Sequence, residues 1–225
     1  MKKAILLLSL SLIFPHLAPA ADAGSDVAER YSYTMGVRLG QLLRAQGISQ
    51  LDSASFAQAI DDVLNERTLR LSTDEMRQAI VDQQRLLAEQ RAAKAADNLR
   101  AGQEFLARNA TNADVVALPS GLQYRVLDKG DGEQPGADDT VRVHYQGTLI
   151  DGRVFDSSIE RGEPAEFPLA GVVPGFREAL SLMHVGDRWQ VFMPSTLAYG
   201  EKGAGADIGP NETLIFEMQL LDIVR

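Results

Sequence analysis

Residues 141–155, VRVHYQGTLIDGRVF, contain the clearest structural signal in this chain of 225 residues. Val141, Val143 and Tyr145 alternate with polar residues, which is the period of a strand with one buried face. The pair Asp151-Gly152 that follows is a strong hairpin signal, because both residue types tolerate the positive φ angles of a tight turn. This stretch therefore predicts two antiparallel strands.

The same alternation occurs on both sides of the hairpin. A glycine-containing turn at 128–132 follows an earlier strand, and Pro174 to Leu182 has the features of a short helix that begins with proline. Residues 115–225 are thus predicted to form an antiparallel sheet with one helix, an α+β domain. The other alternating positions are Leu122, Tyr124 and Val126; Trp189, Val191 and Met193; and Leu214, Phe216, Met218 and Leu220.

The preceding part of the chain has a different composition. Residues 21–114 contain no proline. Three helices are predicted there: the first from about Val27 to Gln46, the second after Ser53, and the third from Ser72 to Asn109. We therefore expect a helical domain with a long connecting helix at 21–114, followed by the β-rich domain at 115–225.

The middle of the third predicted helix, Glu89 to Asp97, is rich in helix-forming residues and poor in bulky apolar ones. An amphipathic stripe is therefore missing where a packed helix would need one. The expected role of this segment is a solvated, rigid spacer between the two domains.

One face of the first predicted helix is nearly free of side chains. Ser32, Gly36 and Gly40 recur every fourth residue, with Met35 and Leu39 beside them. Small residues allow two helix backbones to approach closely, and the neighbouring apolar side chains then need a partner surface. Packing within one subunit and pairing between two chains are both compatible with this pattern. We expect the second, because so small a helical domain buries little surface alone.

The first twenty residues have the features of an export signal. Lys2 and Lys3 precede an apolar stretch from Ala4 to Leu17, and Ala18-Pro19-Ala20 supplies the small residues of a cleavage site. The apolar stretch is short of the ~20 residues that span a bilayer. We therefore expect a cleaved signal peptide at 1–20, no membrane span and a periplasmic mature protein, with outer-membrane association left open.

Composition and motifs exclude several classes of function. The chain has no cysteine, which removes disulfides, thiol nucleophiles and thiolate metal sites, and its three histidines lack ligand partners, so no metal site is expected. A net charge of −9 without a cluster of Lys and Arg argues against nucleic acid as a partner. Nucleotide-binding loops, the hydrolase nucleophile elbow and the zinc-protease helix motif are also missing.

Five segments of the second domain form a recognisable set: Val143-His144-Tyr145-Gln146-Gly147, Gly152-Arg153-Val154-Phe155-Asp156-Ser157-Ser158, Val172-Val173-Pro174-Gly175-Phe176, Ala198-Tyr199-Gly200 and Ile208-Gly209-Pro210-Asn211-Glu212-Thr213-Leu214-Ile215-Phe216. In this order and with this spacing they resemble FKBP-type peptidyl-prolyl cis-trans isomerases. The helical domain and the signal peptide further resemble the exported, dimeric, macrophage infectivity potentiator-like branch.

The resemblance implies a half-barrel of antiparallel strands around the short helix, no cofactor, and a homodimer. The stripe of small residues on the first helix predicts that Ser32, Met35, Gly36, Leu39 and Gly40 form the dimer interface. It also implies proline-containing unfolded or exported polypeptides as substrates and macrolide-type molecules as inhibitors. The implied catalytic residues are Asp156, Tyr199, Tyr145 and Phe155, and the implied substrate-binding residues are Phe167, Val172, Val173, Phe176, Ile208 and Phe216.

Two positions depart from the family pattern. Phe176 stands where many members carry tryptophan, and Ala204 replaces a bulkier polar residue of some relatives. Three functions remain open at this point: an isomerase for exported proteins, a holdase-like chaperone whose pocket only captures proline segments, and a purely structural periplasmic dimer.

Overall fold

A computed structural model of the chain describes residues 23–48 and 50–224. The predicted signal peptide at 1–20 lies outside these residues. The chain divides into two compact units between Ser72 and Thr73. The helices are α1 (Ala23–Ala45), α2 (Ser53–Leu64), α3 (Thr73–Asn109), α4 (Ser158–Arg161) and α5 (Pro174–Leu182). The strands are β1 (Val116–Ala117), β2 (Gln123–Asp128), β3 (Thr140–Leu149), β4 (Val154–Ser157), β5 (Ala165–Pro168), β6 (Arg188–Met193) and β7 (Leu214–Val224).

The first unit contains α1 and α2, close to the bounds that the sequence predicts. Asp52 caps α2, and its carboxylate accepts a 2.7 Å hydrogen bond from the amide of Ser55. Little of the apolar surface of these helices is covered within one chain: Tyr31 is 65% exposed and Leu64 77%. A Cβ added at Gly36 or Gly40 would meet no atom within 4 Å. Both helices therefore present exposed apolar side chains.

The second unit contains α3 and a seven-stranded antiparallel sheet with the strand order β1-β2-β6-β7-β3-β4, in which β5 also pairs with β3. The long strands β3 and β7 form the centre, paired from Thr140 with Val224 to Leu149 with Leu214. In β3, buried and half-buried side chains alternate along the whole strand, as the sequence pattern predicts. The α+β prediction and the predicted positions of the strands are confirmed.

Helix α5 lies against one face of this sheet. It begins with Pro174 at its first turn, where the missing amide hydrogen costs nothing. Phe176, Ala179 and Leu180 of α5 are buried in the same core as the apolar face of the central strands. The helix thereby places the ring of Phe176 beneath the middle of the sheet.

The interpretation of Glu89 to Asp97 as a solvated spacer holds only in part: most of this segment is exposed, but Arg91 donates hydrogen bonds to the carbonyls of Glu201 and Lys202. The C-terminal part of α3 packs against the sheet: the Phe105 ring lies 5.9 Å from that of Phe192. The buried Gln123 donates to the carbonyl of Leu106 and accepts from Asn109, both at 2.9 Å. Polar contacts to backbone atoms leave no apolar period in the sequence, which is why the pattern did not indicate them. No helix within 23–48 and 50–224 has the length and apolar character needed to cross a membrane.

Candidate active site

A cavity of about 320 Å³ opens on one face of the sheet domain, between α5 and strands β3, β4, β5 and β7. The residues that line it come from six separate segments of the second unit, so only the folded domain brings them together. The lining residues are Tyr145, Phe155, Asp156, Phe167, Gly171, Val172, Val173, Phe176, Tyr199 and Phe216.

Five aromatic rings form the walls and floor of the cavity. Phe176 is central: its ring centroid lies 5.9 Å from that of Tyr145, 5.8 Å from Phe167 and 5.2 Å from Phe216. All three contacts are close to edge-to-face, with interplanar angles of 86°, 83° and 79°. Phe155 meets Phe216 in the same way at 5.5 Å and 88°. The rings hold one another in fixed orientations and give the cavity an apolar interior.

Gly147 on β3 is required for this packing. A Cβ at this position would lie 2.5 Å from the Cζ of Phe155 and 2.8 Å from the Cε1 of Phe216. Because glycine has no side chain, the two rings can lie across the strand at that point. The glycine that follows the predicted strand therefore defines one wall of the cavity.

Tyr145, Asp156 and Arg161 form a hydrogen-bonded network at the edge of the cavity. The Tyr145 hydroxyl donates to Asp156 Oδ2 at 2.5 Å, and the Arg161 guanidinium donates to Asp156 Oδ1. The same guanidinium donates to the Tyr145 hydroxyl at 3.0 Å. Each of these groups thus has two polar partners, and the carboxylate is held in one orientation.

The short helix α4 supplies the third member of this network. Ser157 caps it, accepting from the amide of Glu160 at 3.2 Å. The next residue, Ser158, is fully buried, and its hydroxyl accepts from the amide of Tyr145 at 2.8 Å. This bond fixes α4 to β3 and carries Arg161 to the position where it reaches both Asp156 and Tyr145.

The network keeps its members in defined protonation states. Burial raises the pKa of the Tyr145 hydroxyl, and the hydrogen bond to Asp156 raises it further, so Tyr145 stays a donor. For Asp156, burial acts to raise the pKa of the carboxyl. The hydrogen bonds from Tyr145 and Arg161 outweigh that effect and hold the pKa below its ordinary value of 3.8. At neutral pH the edge of the cavity therefore carries a carboxylate that is paired with a guanidinium.

Exposure increases from the floor of the cavity to its rim. Phe176, Phe216 and Tyr145 are each 5% exposed, whereas Tyr199 is 40% exposed. Nine of the ten residues predicted for the site line the cavity. The tenth, Ile208, is 8% exposed, belongs to the hydrophobic core and is not among the lining residues. Nine of the predicted site residues thus converge on one cavity.

Sequence reasoning missed Arg161 and Gly171. Arg161 follows the Asp156-Ser157-Ser158 motif by only three residues, and the Ser157 cap is the signal that could have placed it on a helical turn facing Asp156. Gly171 ends a single helical turn before Val172 and has no side chain to indicate a role. In the part of the chain that the structure describes, no three His, Asp or Glu side chains are grouped as metal ligands would be.

Both parts of the chain match known families. Residues 131–221 match the FKBP-type peptidyl-prolyl cis-trans isomerase family, and residues 28–126 match the domain amino terminal to FKBP-type peptidyl-prolyl isomerase. The outer membrane protein MIP of Legionella longbeachae is 42% identical over 212 residues, which cover 92% of this chain and 91% of the relative. The peptidyl-prolyl cis-trans isomerase Mip of Coxiella burnetii is 40% identical over 230 residues and 100% of both chains.

The fold has a solved counterpart. The crystal structure of FkpA from Escherichia coli matches with a TM-score of 0.68 and 33% identity, over 90% of this chain and 97% of that one. Similarity over nearly the whole chain, in sequence and in fold, confirms the resemblance that the five motifs indicate. The chain belongs to the FKBP-type peptidyl-prolyl cis-trans isomerases, in their MIP- and FkpA-like branch.

Proposed function

We propose that the chain accelerates rotation about X–Pro peptide bonds in exported polypeptides, with the proline ring held in the aromatic cavity. The observation that carries this proposal is the cavity itself: five rings surround about 320 Å³ of apolar space that opens beside the Tyr145–Asp156 pair. A space of this size is at the lower end for small-molecule sites, which suits one proline ring and its neighbouring backbone.

The chemistry of the reaction fits an apolar cavity. Amide resonance gives the planar peptide bond a large dipole and a rotation barrier of ~18–20 kcal/mol. That dipole decreases as the bond twists, because resonance is lost. Water stabilises the planar form more than the twisted one, so removal of water favours the transition state relative to the ground state. No covalent bond is made or broken, so hydrogen bonds and desolvation are sufficient to accelerate the rotation.

Polar groups at the rim complete the proposed mechanism. By analogy with the family, the backbone amide of Val173 and the hydroxyl of Tyr199 donate to carbonyls of the substrate on either side of proline. Asp156 orients the Tyr145 ring and places negative potential beside the rotating carbonyl carbon. The half-buried position of Val173 and the exposed position of Tyr199, on opposite segments of the lining, support these roles.

The test is cis/trans exchange in a short X–Pro peptide, measured with the mature chain from Ala21 and with a macrolide competitor. We expect acceleration at micromolar protein and its loss when the macrolide occupies the cavity. Phe176 lacks the indole N–H donor that tryptophan supplies at this position in many relatives. We therefore expect a weaker macrolide affinity than in tryptophan-containing members. If the chain binds the peptide but the exchange rate equals that in buffer, only the holdase function remains.

Arg161 is expected to matter for both rate and pH dependence. Replacing it with glutamine removes two charge-assisted hydrogen bonds at the edge of the cavity, and we expect kcat/KM to fall about three- to tenfold near pH 7. The folded chain should remain stable, because the side chain is exposed. Exchange rates of wild type and Arg161→Gln, measured with the same peptide, check this prediction.

The pH profile provides a second measurement on the same variant. In the wild type, the contribution of the Asp156 carboxylate is lost only as the pH falls through its lowered pKa, which lies below the ordinary value of 3.8. Without Arg161 the effect of burial is less opposed, so the pKa rises and the acidic loss of activity begins at a higher pH. If the activities of the two proteins fell over the same acidic pH range, the proposed network would be contradicted.

We also propose that the protein acts in the periplasm as a homodimer. The name of the Legionella longbeachae relative, outer membrane protein MIP, supports export, with residues 1–20 as a cleaved signal. The exposed apolar side chains of α1 and α2, and the open space above Gly36 and Gly40, support pairing of two chains through the first unit. In this proposal residues 21–114 provide dimerisation and the long helix, and residues 115–225 provide the isomerase domain.

A further inference from the structure

Helix α3 contacts the segment that carries the rim of the cavity. We call residues 199–213 the pocket loop: it begins at Tyr199, which lines the cavity, and ends at the start of β7. Most of it lacks regular structure, apart from a single turn at Gly200–Lys202 and an isolated bridge between Ala204 and Ile208. A segment of this length needs contacts from outside to hold one conformation.

Arg91 of α3 provides the first of these contacts. Its Nη2 donates to the carbonyl of Lys202 at 2.7 Å and to the carbonyl of Glu201 at 3.2 Å. Both carbonyls belong to the single turn that directly follows Tyr199. The guanidinium therefore fixes the end of this turn, and with it the direction in which the Tyr199 side chain leaves the backbone.

Two asparagines provide the second contact, two turns further along α3. Asn98 donates to the carbonyl of Pro210 at 2.8 Å, and Asn211 of the loop donates back to the carbonyl of Ala95 at 3.3 Å. Burial raises the pKa of the neighbouring Glu212 carboxyl, against the opposing effect of Lys94. The interface between helix and loop thus excludes part of the water around a charged side chain.

The base of the loop lies directly on the helix. A Cβ at Gly102 would lie 2.2 Å from the Oγ1 of Thr213, so only glycine allows this approach. Within the loop, the amide of Asn211 donates to the carbonyl of Gly200 at 2.8 Å, which links its two ends. The loop is therefore closed on itself and attached to α3 at its beginning through Arg91 and at its end through Asn98 and Gly102.

We infer that Arg91 and Asn98 are positioning residues for substrate binding, which act by holding the pocket loop so that the Tyr199 hydroxyl faces the cavity. The inference rests on the proposed isomerase function and extends it to a helix outside the cavity. A loop that is free to move must be ordered when substrate binds, and that cost weakens binding. Loss of either contact should therefore raise KM more than it lowers kcat.

The test compares full-length variants of the mature chain in the X–Pro exchange assay. Arg91→Met and Asn98→Ala should each lower kcat/KM about three- to tenfold, mainly through KM, and Arg91→Lys should restore part of the loss. Arg100→Met is the matched control, because Arg100 is on the opposite side of α3 and pairs with Asp97 of the same helix. It should behave as wild type.

A double-mutant cycle separates positioning from general destabilisation. If Arg91 acts through the Tyr199 hydroxyl, Arg91→Met should have little further effect in a Tyr199→Phe background. If it only stabilises the fold, the same fold-change should appear in both backgrounds. Equal effects in the two backgrounds, or an unchanged KM in Arg91→Met and Asn98→Ala, would overturn the inference.

Amide hydrogen exchange of the pocket loop provides a readout that does not depend on activity. Faster exchange within 199–213 in Arg91→Met and Asn98→Ala, with wild-type exchange elsewhere in the sheet, is expected. If the loop amides of both variants exchanged at the wild-type rate, the inference that these contacts hold the loop on α3 would be overturned. Absence of isomerase activity in the unmutated chain would instead refute the proposed function and leave the exchange result to decide on the loop.

Discussion

Asp156→Leu is expected to lower kcat/KM for X–Pro isomerisation about ten- to hundredfold without unfolding the chain. The carboxylate accepts hydrogen bonds from Tyr145 and Arg161, and leucine leaves both donors without this acceptor. The Tyr145 hydroxyl then keeps only the Arg161 guanidinium as a polar partner, and the negative potential at the edge is lost. Peptide exchange rates measure the effect, and circular dichroism shows whether the fold is retained.

Two controls make this result specific to the site. Asp156→Asn keeps the shape and one acceptor oxygen but removes the charge, so its loss of activity should be smaller than that of leucine. Asp138→Leu adds the same side chain at an exposed position of the same domain and should leave the rate unchanged. Loss of the native spectrum in Asp156→Leu, or a wild-type rate, would contradict the assignment of Asp156 to the reaction.

Strand periodicity predicts which aromatic side chains face the buried side of the sheet, whereas the cavity itself is implied only by the family resemblance. Tyr145 and Phe216 occur at alternating positions of their strands, and both face the buried side of the sheet. The short helix that begins at Pro174 is likewise predicted from the sequence, and in the structure it carries Phe176 into the core. These are local rules, and they do not indicate a cavity; the convergence of Phe155, Phe167 and Tyr199 with these rings is implied by the family motifs.

The contacts of α3 could not be predicted in the same way. Arg91 and Asn98 bind backbone carbonyls more than a hundred residues further along the chain. Any donor of suitable length can make such bonds, so they leave neither an apolar stripe nor a motif. Glycine is unfavourable in a helix interior, yet Gly102 is the position where Thr213 approaches the helix. Tertiary contact, and not helix propensity, explains this glycine.

Gly36→Leu is expected to convert a dimer of the mature chain into a monomer, with a dissociation constant raised at least about a hundredfold. In the proposed interface the bare stripe of α1 allows two backbones to approach closely, and a leucine side chain would hold them apart. A Cβ at this position meets no atom of the described residues within 4 Å, so we expect the substitution to leave the monomer folded and to favour the helix. Sedimentation across a range of concentrations measures the change.

Thr34→Leu is the matched control, since Thr34 is exposed on the opposite side of the same helix and the change likewise adds a leucine with favourable helix propensity. It should leave the dimer intact. Because the cavity lies entirely within the second unit, the Gly36→Leu monomer should isomerise short peptides at the wild-type rate. A dimer that persists in Gly36→Leu would show that another surface joins the chains, and the exposed side chains of α2, such as Val63 and Leu64, would then be the next candidates.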